Sequence, residues 1–235
     1  MSDVEDEEIE DVKLILLGES GVGKTSLINV SIGKRFQDNL AITFTCSLVK
    51  KDFQRGTKKY SLNIWDTAGQ EIYRALNKLF IKDSKIVIFT YSINSLLTFQ
   101  ELTFWVSLVR EILGDEPIFG LVGNKSDLYA NAEVDQETAK KFAEQIGAKF
   151  ETVSAKTNPK AFVNFLDTLL DEYLAKKGNK ENEEDDEEKE KEKKKKEKRE
   201  KKEKKERKKR EKKEKKIKIK KENHTKGKKI KKCCE

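Results

Sequence analysis

The chain has 235 residues, 51 of them Lys or Arg and 43 Asp or Glu, for a net charge of +8 with 40% charged and 35% hydrophobic residues. That mean covers two different polymers: residues 176–235 hold 31 basic and 17 acidic residues, net +14, and residues 1–175 hold 20 and 26, net −6. No apolar run reaches the roughly 18 residues of a membrane span and the first eleven residues are acidic, which excludes a transmembrane helix, a secretory signal and an Arg-rich transit peptide; the single His, His224, and three Cys exclude a His-based triad, a His-bearing zinc site in the domain and a disulfide framework, and fit a reducing cytosol.

Apolar runs bounded by turn signals alternate with amphipathic stretches, the pattern of an α/β domain over residues 11–175. In chain order the pattern predicts a strand at Val12–Leu17, a helix at Lys24–Gly33, and strands at Phe44–Phe53 and Tyr60–Trp65. It continues with a helix at Gln70–Phe80, a strand at Ile86–Tyr91, a helix at Leu96–Leu113 and a strand at Ile118–Val122. A helix at Gln136–Gly147, a strand at Lys149–Val153 and a helix at Ala161–Ala175 complete it. The short link between the second and third strands makes them an antiparallel hairpin, and each later strand follows a helix. Right-handed crossovers then give a six-stranded, mostly parallel sheet with one antiparallel strand, flanked by helices, and ligands are expected at the strand C-terminal ends. Residues 176–235, with few apolar residues beyond Ile217, Ile219 and Ile230, form a hypervariable charged tail that cannot bury a core and is read as disordered or as a solvated helix.

Gly18-Glu19-Ser20-Gly21-Val22-Gly23-Lys24-Thr25, with Ser26 next, closes a strand and opens a helix, the context of a phosphate-binding loop. Glycines at 18, 21 and 23 let backbone N–H groups converge on phosphate oxygens, aided by the helix N-terminus. Lys24 can reach the β- and γ-phosphates, and the Thr25 hydroxyl is placed to ligate Mg²⁺. Asp66-Thr67-Ala68-Gly69-Gln70 ends the third strand at the same sheet edge. Asp66 can hold Mg²⁺ through its water shell, the Gly69 N–H can approach a γ-phosphate, and Gln70 can orient a water. Asn124-Lys125-Ser126-Asp127 ends the fifth strand and Ser154-Ala155-Lys156 follows the sixth. The Asp127 carboxylate can accept from guanine N1–H and N2–H₂, which adenine does not offer, and so selects GTP over ATP. Lys125 can lay its stem over the base, Asn124 can tie loops together, and the Ala155 amide can meet guanine O6.

With these motifs in order, the chain resembles a Ras-superfamily small GTPase, and within it the Rab family. Trp65 before Asp66-Thr67-Ala68-Gly69-Gln70-Glu71 resembles the WDTAGQE signature, and Tyr91-Ser92-Ile93 the YSIT or YDIT segment. The resemblance implies the P-loop small-GTPase fold and makes Thr43, 19 residues after Lys24, the switch threonine that meets Mg²⁺ and the γ-phosphate. It also makes Phe36 the aromatic that stacks on guanine. By themselves Phe36 reads as a partly buried loop anchor and Thr43 as a β-prone residue. Two segments depart from the family: Thr43-Phe44-Thr45-Cys46-Ser47-Leu48 stands in place of T-I-G-x-D-F, and Leu79-Phe80-Ile81-Lys82-Asp83 in place of YYRGA. Cys233-Cys234-Glu235 resembles the CC-x ending that receives two geranylgeranyl groups, and is not a CaaX box.

The resemblance implies a slow GTPase that acts as a monomeric switch in vesicle trafficking, between the cytosol and the cytoplasmic face of an intracellular membrane. GTP or GDP and Mg²⁺ are its expected cofactors. Its expected partners are an exchange factor, a GTPase-activating protein, effectors, and an escort protein or GDI, with the tail and prenyl groups meeting anionic lipid. The competing class is a GTPase whose tail binds nucleic acid or ribosomes, for which Lys189–Lys232, net +19, would supply phosphate affinity. The tail has no aromatic residue to stack on bases and ends in paired Cys, which favours the membrane over nucleic acid. A binding-only pseudo-GTPase is disfavoured because Lys24, Thr25, Asp66 and Gln70 are all present.

Overall fold

The computed structural model describes residues 9–41, 43, 46–67 and 74–180, with three further positions at 195, 196 and 198. The chain divides into two units, Met1–Lys176 and Lys177–Glu235. In the first, strands β1 (Ile9–Leu17), β2 (Ser47–Arg55), β3 (Lys58–Asp66), β4 (Ile86–Ser92), β5 (Ile118–Asn124) and β6 (Ala148–Thr152) form one sheet in the order β2-β3-β1-β4-β5-β6. Only the β2–β3 pair is antiparallel. The helices are α1 (Lys24–Ser31), α2 (Arg74–Ile81), α3 (Leu96–Gln100), α4 (Leu102–Leu113), α5 (Gln136–Ile146) and α6 (residues 159–180), with a 3₁₀ turn at Ser126–Asn131.

The period-two alternation of the central strands divides the core in two. Leu14 and Leu16 of β1, Ile86 and Ile88 of β4, and Ile118 and Val122 of β5 face one side. They bury against Leu27 and Ile28 of α1 and Phe162, Phe165, Leu166 and Leu169 of α6. Ile15, Leu17, Val87, Phe89, Phe119 and Leu121 face the other side, against Trp105 and Val109 of α4 and Ala139, Ala143 and Ile146 of α5. Both faces are covered, so β4 and β5 are buried at every residue and read in the sequence as unbroken apolar runs. Gly120 of β5 is a point of close approach: a Cβ there would stand 2.9 Å from Leu169 and 3.0 Å from Phe165, so glycine sets how near α6 lies to the sheet. The edge strand β2 alternates exposed and half-buried residues and carries Lys50, Lys51 and Asp52, charges that discourage pairing with a further strand. At its end Arg55 donates to Asp167 and Asp171 of α6 and fixes the hairpin over that helix.

Local chemistry explains where the elements differ from their sequence-read bounds. Phe44 and Thr45 of the strand read from Phe44 lie outside the described residues, β2 is described from Ser47, and the hairpin turn narrows to Gly56 and Thr57. The single helix expected over Leu96–Leu113 is two: at Glu101 the backbone has ψ −14°, and its carbonyl accepts from both Phe104 and Trp105. No residue of α3 is fully buried, though its Phe99 packs on the second core cluster, while α4 buries five. Residues 70–73 of the helix read from Gln70 lie outside the described residues, and α2 is described from Arg74. For α5, the Asp135 side chain caps the start by accepting from the Thr138 N–H at 2.8 Å, and Gly147 in the left-handed region ends it. Among the described residues no helix is long and apolar enough to cross a membrane.

Phe162 is fully buried where α6 meets the sheet. Phe162→Ala is expected to remove about 3–5 kcal/mol of stability, read as a fall in the denaturant midpoint at unchanged slope.

Candidate functional site

The strand order reverses at β1, with β3 on one side and β4 on the other, so a crevice opens beyond the C-terminal ends of these strands. There lies a cavity of about 600 Å³, with Ser20, Gly21, Lys24 and Thr25 at one end and Lys125, Asp127 and Lys156 at the other. Gly23, Ser26, Phe36, Thr43, Asn124 and Ala155 also line it.

The loop between β1 and α1 wraps the Lys24 ammonium. Lys24 is 5% exposed and donates to the carbonyls of Gly18 at 2.7 Å and Glu19 at 2.9 Å. Gly23 precedes the helix at φ 97°, and a Cβ there would meet the Asn124 amide nitrogen at 2.4 Å, so glycine is required on both counts. Asn124 in turn donates to the Val22 carbonyl at 2.8 Å and accepts from the Ala155 N–H at 3.3 Å. One buried amide thus joins the two loops that form the ends of the cavity, the tying role read for it in the sequence.

Thr25, Thr43 and Asp66 converge. The Thr25 hydroxyl donates to Asp66 Oδ2 at 2.7 Å and lies 2.7 Å from the Thr43 hydroxyl. Asp66 is buried, and its second oxygen, Oδ1, has no hydrogen-bond partner among the described residues. Burial raises the Asp66 pKa, with the Thr25 hydrogen bond and the Lys24 charge acting against the rise. Burial likewise lowers Lys24 to about 8, opposed by the charges of Asp66 and Glu19. Desolvation therefore outweighs the attraction between this lysine and this carboxylate. Two hydroxyls and an under-satisfied carboxylate form a hard oxygen donor set that fits Mg²⁺, which characteristically takes a few protein oxygens and keeps several waters.

At the other end Ser154, fully buried, donates to Asp127 Oδ1 at 2.5 Å. The same hydroxyl accepts the N–H groups of Lys156 at 3.1 Å and Thr157 at 3.0 Å. Ser154 therefore orients Asp127 rather than lining the cavity. Lys125 adopts φ 66°, uncommon for a residue with a Cβ, and burial lowers its pKa against the pull of Asp127. Phe36 packs partly buried on the first core cluster, and the Lys156 ammonium lies 5.7 Å from its ring centroid while pairing with Asp38 at 2.8 Å. Phe36 is thus partly buried against the core and also lines the cavity wall.

Val22 and Asp66 do not line the cavity: Val22 is buried and contributes its carbonyl, and Asp66 reaches the site through Thr25. Gly69 and Gln70 lie outside the described residues, as do Cys233 and Cys234. Gln37, Asp38, Leu40, Ala41, Thr67 and Leu128 also line the cavity and were not read from the sequence. Thr67 sits inside the Asp66 motif and was within reach. Leu128 follows Asp127 on the 3₁₀ turn, and the four at 37, 38, 40 and 41 follow no spacing rule, because a loop that drapes over a cavity has no period.

A phosphate-cradling loop, an oxygen donor set for a divalent ion and a carboxylate at the far end of one crevice define a small guanine-nucleotide-binding protein of the P-loop class. The Ras family profile matches residues 13–173. The chain is 40% identical over 155 residues to the Ras-related protein Rab-21 of Bos taurus, covering 66% of this chain and 70% of that protein. It is equally similar to Rab-21 of Homo sapiens, with 69% of that protein covered, and 39% identical to that of Geodia cydonium, with 68% covered. The chain belongs to the Ras family, as a small GTPase of the Rab type.

With Lys24 at the phosphates, nucleotide affinity is expected to depend on pH. The Lys24 pKa is about 8 in the free protein, and a bound polyphosphate stabilises the ammonium and raises that value. Binding then takes up protons once pH exceeds the free-state value, so GDP affinity is full below it and falls as pH rises through it. Calorimetric titration with GDP from about pH 7 to about pH 9, in two buffers of different ionisation enthalpy, is expected to show falling affinity and growing proton uptake. Flat affinity with no proton uptake would remove Lys24 from the phosphate site.

Proposed function

We propose that the protein is a membrane-directed GTP switch in vesicle trafficking, in which GTP and Mg²⁺ hold the Thr43 and Gly69 segments and hydrolysis releases them. The observation that carries this reading is the meeting of Thr25, Thr43 and Asp66: a threonine from a cavity-draping loop is drawn to the donor set that fits the metal. Loss of the γ-phosphate then removes a ligand that both segments share. Bound there, Mg²⁺ supplies positive charge against the β- and γ-phosphates.

In this reading the residues divide the work between phosphates and base. Backbone N–H groups of residues 20–26 and the Lys24 ammonium bind the phosphates. Thr25, Thr43 and Asp66 hold the ion, and Gln70 orients the attacking water. Asp127, aligned by Ser154, accepts from guanine N1–H and N2–H₂, with Lys125, Lys156 and Phe36 around the base and the Ala155 N–H at O6. No arginine is among the described residues that line the cavity, which supports slow intrinsic hydrolysis accelerated by a GTPase-activating protein. An exchange factor, effectors and an escort protein or GDI complete the cycle. The altered segments around Phe44–Leu48 and Leu79–Asp83 give this chain its own set among them.

Asp127→Asn tests nucleotide selection. The amide keeps an acceptor for N1–H but presents a donor where N2–H₂ needs an acceptor, so GTP is expected to weaken by about two orders of magnitude while XTP gains. Competition among GTP, ATP and XTP reads this, and unchanged GTP preference would sink the assignment of the base site.

Membrane attachment through prenyl groups on Cys233 and Cys234, with the basic residues nearest them acting on anionic lipid, is tested in cells. Two lipid chains hold where one is marginal, and basic residues act only within about a Debye length of the surface. The double variant Cys233→Ser, Cys234→Ser is expected in the cytosolic fraction. Its retention on membranes, or its recovery with RNA at physiological salt, would replace this anchor with the nucleic-acid reading.

A further inference from the structure

Two charged residues meet at the rim of the base end. Asp38 stands on the irregular segment between α1 and β2, and Lys156 on the loop after β6, 118 residues away in sequence. Both line the cavity, and their side chains are 69% and 50% exposed, which puts them where the cavity opens to solvent. The Lys156 ammonium donates to Asp38 Oδ1 at 2.8 Å. An ion pair that joins two walls of a cavity at its rim is a strap across the opening.

Lys156 is fixed at its backbone and steered at its tip. Its N–H donates to the buried Ser154 hydroxyl at 3.1 Å, and the neighbouring Ala155 N–H donates to Asn124 at 3.3 Å, so the root of the side chain is tied to the polar bonds that form this end of the crevice. The four-carbon stem beyond that root is flexible and leaves the ammonium a wide range. Asp38 selects one place within it, 5.7 Å from the Phe36 ring centroid, where a ring face attracts a cation. The Asp38 hydrogen bond and charge hold the Lys156 pKa above its ordinary value, against desolvation and with the charge of Asp127 adding to them. Phe36 packs on the first core cluster, so the strap has a firm seat on that wall as well.

Resting on the nucleotide site described above, we propose that Asp38 is a positioning residue for the guanine nucleotide: its carboxylate draws the Lys156 ammonium over Phe36 and straps the two loops together, so that a bound nucleotide is released only when the strap opens. Asp38 touches no atom of the base in this role and acts through Lys156. An exposed ion pair changes a rate by about fivefold at most, so the strap slows release and does not prevent it. Taken alone, a carboxylate at this rim would repel a polyphosphate, which gives the two roles opposite signs.

The test follows release of a fluorescent GDP analogue, chased with excess GDP at saturating Mg²⁺. It compares full-length wild type, Asp38→Asn, Asp38→Glu, Lys156→Met and the double variant Asp38→Asn, Lys156→Met. Release from Asp38→Asn is expected to quicken about threefold at low salt, and Asp38→Glu, which keeps the charge, to release more slowly than Asp38→Asn. The difference between wild type and Asp38→Asn is expected to vanish toward about 1 M salt, where the Debye length falls to about 3 Å. Lys156→Met is expected to quicken release by itself, and Asp38→Asn to add nothing in that background.

A carboxylate that acts only by its own charge on the phosphates predicts slower release from Asp38→Asn, by the same factor with or without Lys156. That sign overturns the proposal and leaves the nucleotide site standing. So does unchanged release from Asp38→Asn, an increment that survives in Lys156→Met or at high salt, or Asp38→Glu no slower than Asp38→Asn. Wild-type protein that fails to bind the GDP analogue overturns the site and the strap together.

Discussion

A lysine ammonium buried to 5% exposure is the constraint on which this domain turns. Removing such a charge from water is strongly unfavourable unless oxygen atoms replace the lost hydration. Here two backbone carbonyls, from Gly18 and Glu19, take that place. They can do so only if the chain curls back on itself within six residues, which demands the glycines. The same turn sets Ser20, Gly21 and Gly23 at the cavity wall, and successive N–H groups in such a turn can cradle an anion. Lys24 keeps enough unmet charge, seen in its lowered pKa, to welcome a phosphate.

The rest of the site is fixed to that loop by buried polar bonds, not by packing alone. Asn124 joins the loop to the strand end that leads to Asp127, and the Thr25 hydroxyl joins it to Asp66 at the end of β3. Because each of these groups is buried or half-buried, an alternative arrangement would leave a donor or acceptor without a partner. The crevice is therefore held in one geometry at both ends, and among the described residues Thr43 meets it at the Thr25 hydroxyl. Burial pushes the half-buried Cys46 thiol up to about 11.

The sequence by itself determined the sheet and most of the site. Apolar runs at Ile86 and Ile118 announced strands covered on both faces, because only burial on both sides removes the need for alternation. Lys24, Thr25, Asp66, Asn124 and Asp127 were legible because backbone approach to phosphate and the donor pattern of guanine restrict residue type and spacing within a few positions. Tertiary structure alone decided what depends on distant contacts. The helix read as continuous over Leu96–Leu113 breaks at Glu101: α4 buries five residues, whereas α3 buries none and meets the same core face through the partly buried Phe99. Ser154 turned from a lining residue into the support of Asp127, and Phe36 acquired Lys156 over its ring. Trp105 is fully buried in the second core face. Its N–H found a carboxylate in the phosphate loop only when the sheet brought α4 beside residue 19, and no local spacing rule can encode a hydrogen bond across 86 residues.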